Sequence, residues 1–171
     1  MPGDMTVPCG DGLINIRVGA IIMKDGKLLM AGNRRVDYLY TIGGRVQFGE
    51  TAGEAVVREV EEETGVRLKT KRLGFVHENL FYDDDPASLD MPIYEIAFFY
   101  YMDTPEDFEP ASKVFDENGV EEFLVWVPLD DERTTYPGFL RPELKHPETA
   151  VKHFVTDHRR QRNHECPEDR F

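Results

Sequence analysis

A chain of 171 residues with 40 % hydrophobic and 31 % charged positions can bury a core of its own and is too apolar to remain a disordered polymer. Its 33 acidic residues outnumber 20 basic ones, and the net charge of -13 argues against a nucleic-acid binder that works through a basic face. No run approaches the roughly 18 consecutive apolar residues of a membrane span, and Met1-Pro2-Gly3-Asp4 lacks the basic and apolar stretches of a secretory leader. The reading is therefore a cytoplasmic protein without membrane or nucleic-acid partners, with Cys9 and Cys166 as free thiols.

Residues 1–12 read as an N-terminal arm. Leu13–Met23 alternates and is rich in β-branched residues, which predicts a strand. Lys24-Asp25-Gly26-Lys27 carries the Asp-Gly hairpin signal, and Leu28–Ala31 returns as a second strand. Tyr38–Ile42 is a short extended piece ending at Gly43-Gly44. Thr51 and Glu54 form a capping-box pattern ahead of a helix over Ala52–Thr64, which Gly65 ends. Val66–Leu80 reads as extended chain with a charged interruption at Lys69–Arg72, and Phe81–Met91 as a loop. Pro92–Met102 is an apolar strand, Asp103–Gly119 a long acidic loop, and Glu122–Val127 a further strand. Pro137–Leu144 predicts a short helix, His153–Thr156 a last strand, and residues 158–171 a charged, frayed tail. One domain over residues 13–157, with a mixed sheet and at least two helices, implies α/β or α+β layering.

The helix carries Arg58-Glu59-Val60-Glu61-Glu62-Glu63. At about 100° per residue, Glu63 lies about 40° from Glu59 and Glu62 about 60° to the other side, so three carboxylates share a face. Ala52 and Ala55 fall on that face and leave room for a ligand. Val56, Val57 and Val60 form an arc to bury against a sheet, and Glu54, Arg58 and Glu61 take the wetter sector. Like charges at i,i+4 near a helix C-terminus are unfavourable. A hard divalent cation would reverse that sign, because such ions take carboxylate oxygens. For the composition of the run alone, a solvated acidic face is the better explanation.

The spacing goes further than the composition. Gly44, five residues, Glu50, seven residues, Arg58-Glu59, then Val60, Glu62-Glu63, Gly65 and Val66 match every fixed position of a pattern of 23 residues. The segment closely resembles the Nudix box, and the order of flanking strands extends the resemblance loosely over Leu13–Leu144. Many members have Pro ahead of the paired glycines, where this chain has Ile42. The resemblance implies a Nudix-type α/β/α sandwich around a mixed sheet. It also implies metal-dependent hydrolysis of a phosphoanhydride in a nucleoside diphosphate linked to another moiety, such as ADP-ribose, an NDP-sugar or an NTP. Carried over by position, Glu59, Glu62 and Glu63 would hold Mg²⁺ or Mn²⁺, Arg58 would orient carboxylates, and Glu50 would approach the metal site or support the loop. Gly43 and Gly44 would let backbone approach helix and substrate. A homodimer is the family habit.

The base that deprotonates the attacking water is expected to be Glu59 or Glu62, with Glu117, Glu121 and Glu122 as loop candidates. Arg34, Arg35 and Arg45 are candidates for substrate phosphates, the first two equally well read as surface arginines. Glu78 and Glu95 are weaker candidates for a substrate pocket, on similarity to pieces of other Nudix chains. Phe98–Tyr101 reads as core, while Tyr38 and Tyr40 could stack on a base or pack inside. The competing reading is a Nudix-fold nucleotide-binding or regulatory module without catalysis, which would usually lack one of the box glutamates.

Overall fold

The computed structural model describes residues 3–82, 90–110, 114–115 and 121–159. Within them, five strands precede the first helix: β1 (Thr6–Cys9), β2 (Gly12–Ile21), β3 (Met23–Lys24), β4 (Lys27–Asn33) and β5 (Leu39–Thr41). Helix α1 (Ala52–Thr64) follows, then β6 (Lys69–Tyr82), β7 (Pro92–Asp103), β8 (Val114–Phe115), β9 (Glu121–Pro128) and β10 (Thr135–Tyr136). Helix α2 (Leu140–Leu144) and β11 (Lys152–Asp157) complete the order. One sheet runs β1-β2-β7-β6-β11 and the other β10-β5-β4-β9-β8, with β3 beside β4. Both are mixed: β2–β7, β6–β11 and β5–β10 pair in parallel, whereas β6–β7 and β4–β9 are antiparallel.

Alternation along two strands builds two cores at once. On β2 and the residue after it, Ala20 and Ile22 enter one cluster and Ile21 the other. On β4, Leu29 and Ala31 join the first while Leu28 and Met30 join the second. The first core is covered by Ala55, Val56 and Val60 of α1, the second by Leu140 and Leu144 of α2. Strands buried on both faces read as continuous apolar runs, which is why these segments show little polar alternation. The layered arrangement is the expected sandwich with one helix on each side.

Local signals fix the ends of α1. Thr51 Oγ1 accepts from the Glu54 N–H at 3.2 Å, and Glu54 Oε2 accepts from the Thr51 N–H at 2.8 Å. Gly65 closes the helix in left-handed conformation at φ 72°, donating to the Glu61 carbonyl. In the hairpin, Asp25 and Gly26 both adopt positive φ, as a two-residue Asp-Gly turn requires.

Several expectations need correction. The arm contains a strand, β1, which pairs antiparallel with β2. The charged stretch Lys69–Arg72 does not interrupt the chain but begins β6, with register shifts between Thr70 and Arg72 and between Leu73 and Phe75. Arg72 is accommodated there by lying over the Tyr101 ring, 3.9 Å from its centroid. β6 continues through Phe81 and Tyr82, past the expected loop boundary. A two-residue strand, β8, sits inside the expected acidic loop, and α2 begins at Leu140 rather than Pro137. The rest of the Phe81–Met91 and Asp103–Gly119 loops falls partly, and the tail beyond residue 159 wholly, outside the described residues, as does Cys166; Cys9 is exposed.

Candidate functional site

The segment between β5 and α1 runs alongside β2. The Val18 N–H donates to the Gly44 carbonyl at 2.9 Å and the Ala20 N–H to the Ile42 carbonyl at 2.8 Å. This path leaves no room for a side chain at Gly43. A Cβ there would lie 2.1 Å from the Val18 carbonyl oxygen, and its φ of 146° is strained for any L side chain. At Gly44 a Cβ would meet Glu59 Oε1 at 2.4 Å, so the absent side chain is what admits that carboxylate.

Arg58 ties loop and helix together. Its Nε and Nη2 donate to the two oxygens of Glu50 at 3.2 and 2.7 Å, and Nη2 also donates to the Arg45 carbonyl at 3.0 Å. Nη1 reaches Glu59 Oε1 at 2.8 Å and Glu62 Oε2 at 3.3 Å. Glu50 Oε1 further accepts from the Gln47 N–H at 2.8 Å. The guanidinium holds the Glu50 carboxyl below its ordinary range. Glu59 is pushed up instead, chiefly by burial, despite the same arginine. Glu63 accepts from the Gly43 N–H at 2.9 Å, yet burial raises it to about 8, with the Glu122 and Glu59 charges adding to the rise.

The structure therefore brings Glu59, Glu63, Arg58, Glu50, Gly43 and Gly44 into one half-buried cluster. Glu62 is at its rim, with its side chain 59 % exposed. Ala55, expected to leave ligand space, is instead fully buried in the core beneath α1, and Ala52 packs against the same core. The Arg45 side chain lies 3.8 Å from Asp4, and its carbonyl accepts from Arg58 at 3.0 Å. Arg34 and Arg35 are exposed just beyond β4. Of the loop candidates, Glu122 is buried, accepts from the Tyr40 hydroxyl, and makes its charge felt at Glu63. Burial and Glu122 raise the Tyr40 phenol well above its ordinary range. Glu121 opposes Phe115 in the β8–β9 pair, and Glu117 lies outside the described residues.

A cleft of about 1140 Å³ reaches this cluster at Gly43. It is lined by Tyr38, Tyr40 and Tyr136 on one side and by His77, Asn79 and Glu95 on the other. Tyr38 meets Tyr136 edge-on at 4.9 Å between centroids. Glu78 is not in the lining; it bonds instead with the Tyr94 hydroxyl and with His153 Nε2. Sequence reasoning missed Arg17. It lines the cleft, stands 3.9 Å from Glu95, and its charge favours ionised Glu59 and Glu63. A lone arginine within the apolar run LINIRVGAII was the available signal.

A NUDIX domain family model matches residues 14–147. The chain belongs to the Nudix family. This Nudix domain is 40 % identical over 74 residues to the ADP-ribose pyrophosphatase of Methanocaldococcus jannaschii. That match spans 42 % of this chain and 43 % of its relative, less than half of either. The MutT protein of Bacillus halodurans shares the fold at TM-score 0.58 and 19 % identity, over 85 % of this chain and 92 % of its own. The MutT NUDIX hydrolase of Burkholderia pseudomallei superposes at TM-score 0.55 with 26 % identity, over 77 % of this chain and 97 % of its own.

The Nudix cluster suits a hard cation in the chemistry of its donors. They are carboxylate oxygens, with the Glu59 charge adding to the rise of Glu63, in a cradle that a Cβ at Gly44 would fill. As positioned, no three His, Cys, Asp or Glu side chains among the described residues converge into a closed cage. Glu62, half in solvent and bonded to Arg58 at 3.3 Å, keeps the rotamer freedom to join the other two.

Proposed function

We propose that this Nudix domain hydrolyses a phosphoanhydride bond in a nucleoside diphosphate linked to another moiety, with Mg²⁺ or Mn²⁺ held by Glu59, Glu62 and Glu63. The observation that carries the reading is the half-buried carboxylate cluster opening through Gly43 onto a cleft large enough for a nucleotide. The cation would neutralise phosphate charge and acidify a water. Arg58 holds Glu59 and Glu50 in place, and Arg17 offers the positive charge nearest the cleft for a substrate phosphate. Glu59, desolvated and shifted toward higher proton affinity, is suited to take a proton from water, and Glu62 is the other candidate. Glu122 lies close enough to raise Glu63 and extends the set.

The relative named ADP-ribose pyrophosphatase supports a diphosphate bridging two moieties as the substrate class. A non-catalytic binding module is the other reading, and the intact set of box carboxylates speaks against it. The test is a hydrolysis panel with Mg²⁺ covering ADP-ribose, NDP-sugars, dinucleoside polyphosphates and NTPs. Turnover of at least one substrate class, abolished by EDTA, is expected. A folded protein inactive across the panel would sink the proposal.

A further inference from the structure

A short chain of hydrogen bonds in the second sheet ends beside the carboxylates of α1. Register sets Asn33 of β4 opposite Glu122 of β9, and sets Ala31, two residues earlier on β4, between Tyr40 of β5 and Leu124 of β9. Residues two apart on a strand share a face, so Asn33, Tyr40 and Glu122 stand on the side of the first core, the one that α1 covers. Each bond in the chain has a direction. Asn33 Oδ1 accepts from the Arg35 N–H at 2.9 Å, so the amide Nδ2 is the end that faces Tyr40, and it donates to the phenol oxygen at 3.1 Å. The phenol has one proton to give, and Glu122 Oε1 accepts it.

That bond alone does not call for a glutamate. A glutamine would accept it equally well and would bring no charge into the interior, where Glu122 is buried. What the carboxylate adds is its charge, which is felt at Glu63, the residue that accepts from the Gly43 N–H at 2.9 Å. Two carboxylates within electrostatic reach and partly out of water repel each other. A divalent cation turns that repulsion into attraction, provided the carboxylates are held where it sits. Burial and Glu122 keep the Tyr40 phenol protonated, so it remains a donor to that carboxylate.

We infer that Tyr40 is a positioning residue for the divalent cation: its hydroxyl, aimed by Asn33, holds the Glu122 carboxylate within reach of Glu63, and the cation binds more weakly without it. Tyr40 acts through Glu122 and does not touch the ion. Hydrogen-bond partners of the carboxylates at a metal site orient them in this way and contribute to affinity from one bond further out. Tyr40 and Asn33 also line the cleft, so the same pair joins the cleft wall to the carboxylates of α1.

The inference rests on the proposed function for a cation at Glu59, Glu62 and Glu63, and its test needs no turnover. Mn²⁺ is titrated into the full chain and the free ion is counted by electron paramagnetic resonance, with the hydrolysis panel run alongside. Tyr40→Phe is expected to weaken Mn²⁺ about fivefold or more, and Glu122→Gln about tenfold or more. The double variant should match Glu122→Gln within about twofold, because the hydroxyl reaches the cation only through that carboxylate. A tyrosine that merely packs would lower the melting temperature and leave the Mn²⁺ affinity unmoved. Asn33→Ala, which keeps both phenol and carboxylate, should weaken Mn²⁺ in the same direction and takes over if Tyr40→Phe folds poorly. Unchanged or tighter Mn²⁺ binding in a folded Tyr40→Phe, or failing that in Asn33→Ala, overturns the inference. So do losses that multiply in the double variant, or a wild-type chain that binds no Mn²⁺. Turnover in a chain whose Mn²⁺ affinity ignores Tyr40 leaves the hydrolase reading intact and removes this one. A Tyr40-dependent Mn²⁺ site in a chain inactive across the panel does the reverse.

Discussion

Gly43 and Gly44 are neighbours that lack a side chain for different reasons, and the difference is measurable. At Gly43 the obstacle is backbone, the Val18 carbonyl 2.1 Å from a would-be Cβ, combined with φ 146°. Neither can yield without breaking the strand contact, so Gly43→Ala should cost at least about 3 kcal/mol or prevent folding, read by thermal unfolding. At Gly44 the obstacle is the end of the Glu59 side chain, which can swing aside. Gly44→Ala should leave the melting temperature within a few degrees while turnover drops about tenfold or more, because the displaced carboxylate is the one proposed to work. Glu62→Gln is the complementary case. The side chain is largely exposed and loosely held, so the variant should fold normally and lose hydrolysis. Retention of full rate would remove Glu62 from the site. These residues were legible because the box spaces them along one helix and its preceding loop. Arg17 was not, because it reaches Glu95 only through the pairing of β2 with β7, and no local pattern encodes that partner.

The same contrast holds for whole elements. The bounds of α1 agree with the sequence reading at both ends, since the Thr51–Glu54 box and Gly65 act within a few residues. Strands β1 and β10 escaped notice because a four-residue or two-residue strand exists only through its neighbour, β2 or β5. In β6 the charged start misled because Arg72 finds the Tyr101 ring, a contact made across the sheet. The capping signals carry a prediction. Thr51→Ala should cost about 1 kcal/mol, and Gly65→Ala a similar amount because its φ is 72°. In a chain of this length each corresponds to roughly 2–4 °C in melting temperature. Circular dichroism melts of the two single variants and the double would check this. Near-additive losses are expected, since the caps sit at opposite ends of a 13-residue helix.

At the scale of the molecule, two cores share the same strands, and the cleft lies against the second of them. His77 is buried where core and cleft meet, its ring edge-on to Phe139 at 5.0 Å. Burial, and then the nearby His158 and His153, push its pKa down to about 4. The unfolded chain binds that proton near pH 6.5 and the folded chain only near 4, so protonation favours unfolding in between. The stability that neutral His77 contributes is complete above about pH 6.5 and is lost as pH falls toward 4, by at most about 3 kcal/mol. Urea denaturation at steps from pH 7.5 to 4.5 should show this decline as the difference between the wild-type chain and His77→Gln, because Glu63, raised to about 8, acts in the opposite sense over the same window in both. The family match ends at residue 147, yet β11 comes after it and contributes Phe154, Val155 and Thr156 to the cleft. Its partner β6 lies some seventy residues earlier, and such distant parallel pairings close late. During synthesis, α1 and its glutamates leave the ribosome well before the strand that completes the cleft wall. A nascent chain therefore displays its carboxylates before the far wall of the cleft is in place.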